Sequence, residues 1–119
     1  MNIIGKWTLI SVPFKCRQTI LSKIVIDFGD NNGVLVCDTA NYSNGNYTVN
    51  FNNDLSGLIN IKCLEWTERT RICQSEDEWL EAKKANDFIH NVIRSPIPFT
   101  SENNVLKIKH LGNTFEFTK

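Results

Sequence analysis

Apolar residues recur along this chain with two different periods, and the switch between them outlines the elements. From Ser75 to Val92 the period is helical: Trp79, Ala82, Ala85, Ile89 and Val92 recur at spacings of three and four, with Phe88 and Ile93 beside them. Ser75 followed three residues later by Glu78 supplies a capping box, and Glu76 and Asp77 place negative charge at the positive end of the helix dipole. Arg94-Ser95-Pro96 closes the segment, because proline disfavours helical geometry at the residue before it, and Pro98 prolongs the break. The pattern predicts one helix over about residues 76–93, with Trp79 among its buried anchors.

Elsewhere the period is two. Residues 6–12 and 24–28 are rich in β-branched and aromatic side chains and read as strands, the first ending near Pro13. Gly29-Asp30-Asn31-Asn32-Gly33 predicts a hairpin turn into Val34-Leu35-Val36-Cys37. A second break is expected over residues 41–45, before a strand in which Tyr47, Val49 and Phe51 share one face. After Asn52-Asn53-Asp54, residues 58–66 form another extended run, whose face bearing Ile59, Ile61, Cys63 and Glu65 is more apolar than the one bearing Leu58, Asn60, Lys62 and Leu64. Residues 105–110 and 114–118 flank Leu111-Gly112-Asn113 as a closing hairpin, with left-handed geometry expected at Gly112 and Asn113. With strands on both sides of a single helix, the expectation is an α+β fold: mainly antiparallel β, a small barrel-like sheet with one inserted α-helix. At 119 residues the chain suits a single domain spanning residues 1–119.

Charge adds little to that picture. Thirteen basic and thirteen acidic residues cancel, which removes the overall field expected of a nucleic-acid binder, and no apolar stretch is long enough for a transmembrane helix. Met1 as the native start implies a cytoplasmic protein, whereas a trimmed export segment implies an exported or envelope-associated one. Cys16, Cys37, Cys63 and Cys73 allow two disulfides in three connectivities, or serve as small buried hydrophobes. They form no Cys-x-x-Cys pair, and His90 and His110 belong to no short ligand motif, so no metal, cofactor or catalytic residue is expected.

The aromatic residues Trp7, Phe28, Tyr47, Phe51, Trp66, Trp79 and Phe88 are the candidate lining of an apolar cavity between barrel and helix, or the filling of that space. Small barrels normally fill their interiors with side chains, which favours packing.

Several segments in order resemble the META domain (HslJ-like) family. They are Gly5-Lys6-Trp7-Thr8-Leu9; Cys37 followed by Asn41-Tyr42-Ser43-Asn44-Gly45-Asn46-Tyr47-Thr48-Val49; Thr70-Arg71-Ile72-Cys73; then an acidic helix and a closing hairpin. The family-motif positions are Asn41, Tyr42, Gly45, Tyr47, Thr70 and Cys73. The chain departs from the family pattern in having Ala40 before Asn41, one extra residue between Tyr42 and Gly45, and Cys37 further back. The resemblance implies a compact barrel interrupted by a helix, a Cys37–Cys73 disulfide and no established catalytic residues. It also implies a non-enzymatic, envelope- or stress-associated module that recognises a protein partner. The alternative is a carrier of a small apolar ligand or lipid in the barrel.

Overall fold

The structure is a computed structural model that describes residues 3–68 and 75–119 and, of Leu64, the backbone alone. Eight strands run in sequence order around a closed barrel: β1 (Gly5–Ser11), β2 (Val25–Phe28), β3 (Gly33–Cys37), β4 (Asn41–Phe51), β5 (Ser56–Glu68), β6 (Ile97–Glu102), β7 (Val105–His110) and β8 (Asn113–Thr118). Each strand pairs antiparallel with its neighbours, and β1 closes the barrel against β8 through Thr8↔Thr118 and Leu9↔Phe117. Closure leaves no full-length sheet edge, the common antiparallel solution to the edge-strand problem.

The two-residue period does the sorting that it predicts. Trp7 and Leu9, Ile26 and Phe28, Val34 and Val36, Leu106 and Ile108, and Phe115 and Phe117 alternate with more exposed neighbours and are all buried. Inward aromatic rings meet edge to face or stacked: Phe28 and Tyr47 lie 4.8 Å apart between centroids, and Phe88 stacks on Phe115 at 3.6 Å.

The long helix α2 (Glu76–Val92) sits in the β5–β6 connection and buries Ala82, Ala85, Phe88, Ile89 and Val92. Its start is capped as the sequence implies, the Glu78 N–H donating to Ser75 Oγ over 3.2 Å. Trp79, however, is not a core anchor: it is 48% exposed, as is Leu80. At roughly 100° per residue, Trp79 falls about 120° from the middle of the stripe formed by residues 82, 85, 88, 89 and 92. A spacing of three from Ala82 is therefore not enough to place it on the buried side.

Four further departures have local causes. A short helix α1 (Gln18–Leu21) occupies the β1–β2 connection; it has no side-chain cap and its four residues are too few for a period to register. Residues 41–45 belong to β4 rather than to a turn. The turn comes earlier, at Asp38–Ala40, where Asp38 Oδ1 accepts the N–H groups of Ala40 and Asn41 and Asp38 N–H donates to Asn41 O. Pro98 lies inside β6 opposite Leu58, ahead of the first β6–β7 pair (Phe99↔Ile108), so its missing N–H takes nothing from that ladder. In the last hairpin the left-handed residues are Leu111 (φ 51°) and Gly112 (φ 80°), one position earlier than expected.

Phe51 is the other correction. Its alternation with Tyr47 and Val49 is right, but β4 and β5 run on past the end of β3 as a projecting hairpin. There Phe51 is 45% exposed and touches Phe99 edge to face.

Candidate binding surface

The seven aromatic candidates do not converge on one site. Trp7, Phe28, Tyr47 and Phe88 are interior packing: Trp7 Nε1–H donates to Ile3 O at 2.8 Å, and Tyr47 O–H donates to Gly29 O at 2.6 Å, so both polar tips are satisfied. Burial, with the Asp30 charge second, pushes the Tyr47 hydroxyl above its ordinary pKa. Trp66 is half-buried against the His90 ring, 4.0 Å between centroids, and Phe51 and Trp79 are exposed at separate places. Those interior positions are filled by side chains.

Of the family-motif positions, Asn41 starts β4 and its Nδ2 donates to Asp38 Oδ2, and Tyr42 pairs with Cys37. Gly45 sits at the β4–β5 register shift, where a Cβ would collide with Lys62 O, so glycine is required by the close approach of the two backbones. Thr70 and Cys73 lie outside the described residues, and with Cys73 the Cys37–Cys73 pairing.

One polar cluster has no counterpart among the sequence expectations. Asp38, fully buried at the β3–β4 turn, holds His90 Nε2 at 2.6 Å through Oδ2. One helical turn earlier, Asn86 accepts the Thr39 N–H through Oδ1 and donates to Thr39 Oγ1. Four side chains thus fasten α2 to the turn, each contact spanning about fifty residues of chain; the only local signal was an aspartate opening a turn. Chemically the Asp38–His90 pair is an oriented imidazole, half-covered by Trp66, and its described contacts all serve docking. The thiols of Cys16 and Cys63 are raised by burial, Cys16 to about 11, which keeps both protonated and weakly nucleophilic at neutral pH.

A second clamp holds the β1–β2 connection to α2. Arg17 donates from its backbone N–H to Glu81 Oε1 (2.7 Å) and from Nη2 to Oε2 (2.9 Å), and also reaches Glu78 at 3.4 Å. The guanidinium hydrogen bonds hold the Glu81 carboxyl down at about 2.

What the barrel leaves uncovered is the far end of the β4–β5 hairpin. Phe51 faces the inner side of the ribbon, Leu58 the outer side, and Leu55 the tip, all exposed. Beside Leu55, a shallow cleft of about 460 Å³ is walled by Ser101, Glu102, Val105, Lys107 and Glu116. Among the described residues, no helix is long and apolar enough to cross a membrane.

Comparisons with family models, with curated proteins and with solved structures return no match for this chain.

Proposed function

We propose that this protein is a non-enzymatic, META-like (HslJ-like) barrel domain that binds a polypeptide partner through the distal end of the β4–β5 hairpin. The observation that carries the reading is a contrast. Where Trp7, Phe28, Leu106, Ile108 and Phe117 fill the interior, Phe51, Leu55 and Leu58 are left exposed on the two faces and the tip of the far end of the ribbon. A carrier needs empty apolar volume, whereas an interaction module needs a filled core and an exposed apolar patch. The barrel with its helix inserted between β5 and β6 supports the family resemblance, and the raised thiols support a non-catalytic role.

The test is affinity capture from the source cells with wild type, Phe51→Lys and Leu58→Lys, alongside native mass spectrometry of the purified protein. Loss of a captured polypeptide in both variants, at unchanged fold, is the expected result. A lipid-sized adduct released on unfolding would replace this reading with the carrier.

A further inference from the structure

The projecting hairpin carries an open backbone edge as well as exposed apolar side chains. The pairing of β3 with β4 stops at Gly33↔Asn46, after which the Tyr47 N–H still donates to Asn32 O. Backbone groups two residues apart on a strand point the same way, so the N–H and C=O groups of Val49 and Phe51 face the lane that β3 has left. The alternate residues point to β5, as the Asn52 N–H to Ser56 O bond at the end of the ribbon indicates. Among the described residues, no backbone hydrogen bond reaches Val49 or Phe51 from that side.

Natural edges are usually blunted by lysine, proline or a bulge. This one is not: Asn46-Tyr47-Thr48-Val49-Asn50-Phe51-Asn52-Asn53 contains no charge and no proline, and the β4–β5 register shift falls earlier, between Ser43 and Gly45. An open edge of this kind selects an extended strand as occupant, because only another backbone offers donors and acceptors at the matching spacing.

Resting on the polypeptide-binding reading above, we infer that the strand is β4 of a second copy, paired antiparallel across a two-fold axis at Asn50. In that register Val49 faces Phe51 of the second copy and Phe51 faces its Val49. These are β-branched against aromatic on the inner face, the kind of cross-strand pair that stabilises a ribbon. Asn50 meets Asn50, and Thr48 meets Asn52, so polar residues oppose polar residues on the other face. About four backbone hydrogen bonds form between the copies. No like charges are brought together along this stretch, and the chain as a whole is neutral, so the approach of two copies meets no net repulsion. The turn at Asn52–Ser56 carries each chain out of the lane before it reaches the other copy's Asn32. Such an isologous contact is self-complementary and closes at two copies. It is smaller than the ~800 Å² per partner of a standard interface, so the dimer is weak and concentration dependent.

The deciding experiment is sedimentation equilibrium from about 10 µM to about 1 mM, concentrations that bracket a contact of this size. Wild type is expected to move from the 13.6 kDa chain mass towards twice that value. Val49→Pro removes an N–H that no backbone bond among the described residues uses, so it should abolish the shift while circular dichroism shows the fold retained; Val49→Ala, which loses the same packing against the core but keeps the N–H, is the control and should still associate. As a second measurement, Asn50→Cys places a thiol on the axis, where the two Cα atoms lie about 4.5 Å apart, and oxidation should link two chains through their position-50 peptides. Asn46→Cys, exposed but paired on both sides, should give no such link. A mass that stays at one chain throughout, or a Val49→Pro protein that associates as wild type does, overturns the inference. If wild type is monomeric yet captures a different polypeptide in a Phe51-dependent way, self-pairing falls and the module stands; if it does neither, both fall.

Discussion

Trp7 and Trp79 carry the same side chain into opposite environments, and substitution should separate them. Trp7 is buried with its indole N–H bonded, so Trp7→Ala should cost ~3–5 kcal/mol, whereas Trp79→Ala should shift the urea midpoint by little, within the ~0.5 kcal/mol typical of surface changes. Leu111 offers the converse, a residue whose replacement should help. It is 87% exposed and holds φ at 51° beside Gly112 at 80°, a pair of left-handed residues that suits asparagine far better than leucine. Leu111→Asn is expected to raise stability by about 1 kcal/mol, read as a higher thermal midpoint. Glu81 ties stability to pH. Its carboxyl lies below its ordinary 4.5, at about 2, so the folded state favours the ionised form; the contribution is complete above about 4.5 and is lost as pH falls from there through about 2. Urea midpoints of wild type and Glu81→Gln should therefore differ near neutral pH and converge in acid.

The helix and the hairpins differ in how much of their construction is local. In α2 the start is written in four consecutive residues, Ser75 to Glu78, and Ser75→Ala should cost about 1 kcal/mol by freeing the Glu78 N–H. Its docking is written nowhere locally. Asp38 and His90 are separated by 52 positions, Thr39 and Asn86 by 47, and Arg17 and Glu81 by 64; none of these pairs belongs to a motif. Their partners were invisible in the sequence for that reason, and the same reason hid α1, which acquires its place by packing Ile20 and Leu21 into the core. The turns were more legible, since asparagine and glycine mark positions of positive φ, as at Asn32, although the left-handed pair Asn103–Asn104 between β6 and β7 went unread. The error over residues 41–45 shows the limit of that signal: Gly45 serves the close approach of β4 to β5 rather than a turn.

Closure of the barrel joins the first strand to the last, so the molecule depends on contacts between Leu9 and Phe117, over a hundred residues apart. Such non-local pairing makes the fold slow to assemble and sensitive at the seam. Phe117→Ala, at a fully buried seam position, should cost ~3–5 kcal/mol and weaken pairing at β1–β8 before the β4–β5 ribbon, which hydrogen exchange would resolve. The same closure packs the interior with side chains, while β4 runs on past the end of β3 with β5 still paired to β6.

Alternation of apolar residues, the capped helix start, the placement of most turns and the mainly antiparallel character were readable along the chain, because each follows from side-chain period or backbone preference within a few residues. The outward position of Trp79, the strand over residues 41–45, the Asp38–His90 fastening and the open edge at Val49 and Phe51 came from elsewhere. They depend on where one element stops relative to another, and that is set by packing between residues far apart in sequence, which no local preference encodes.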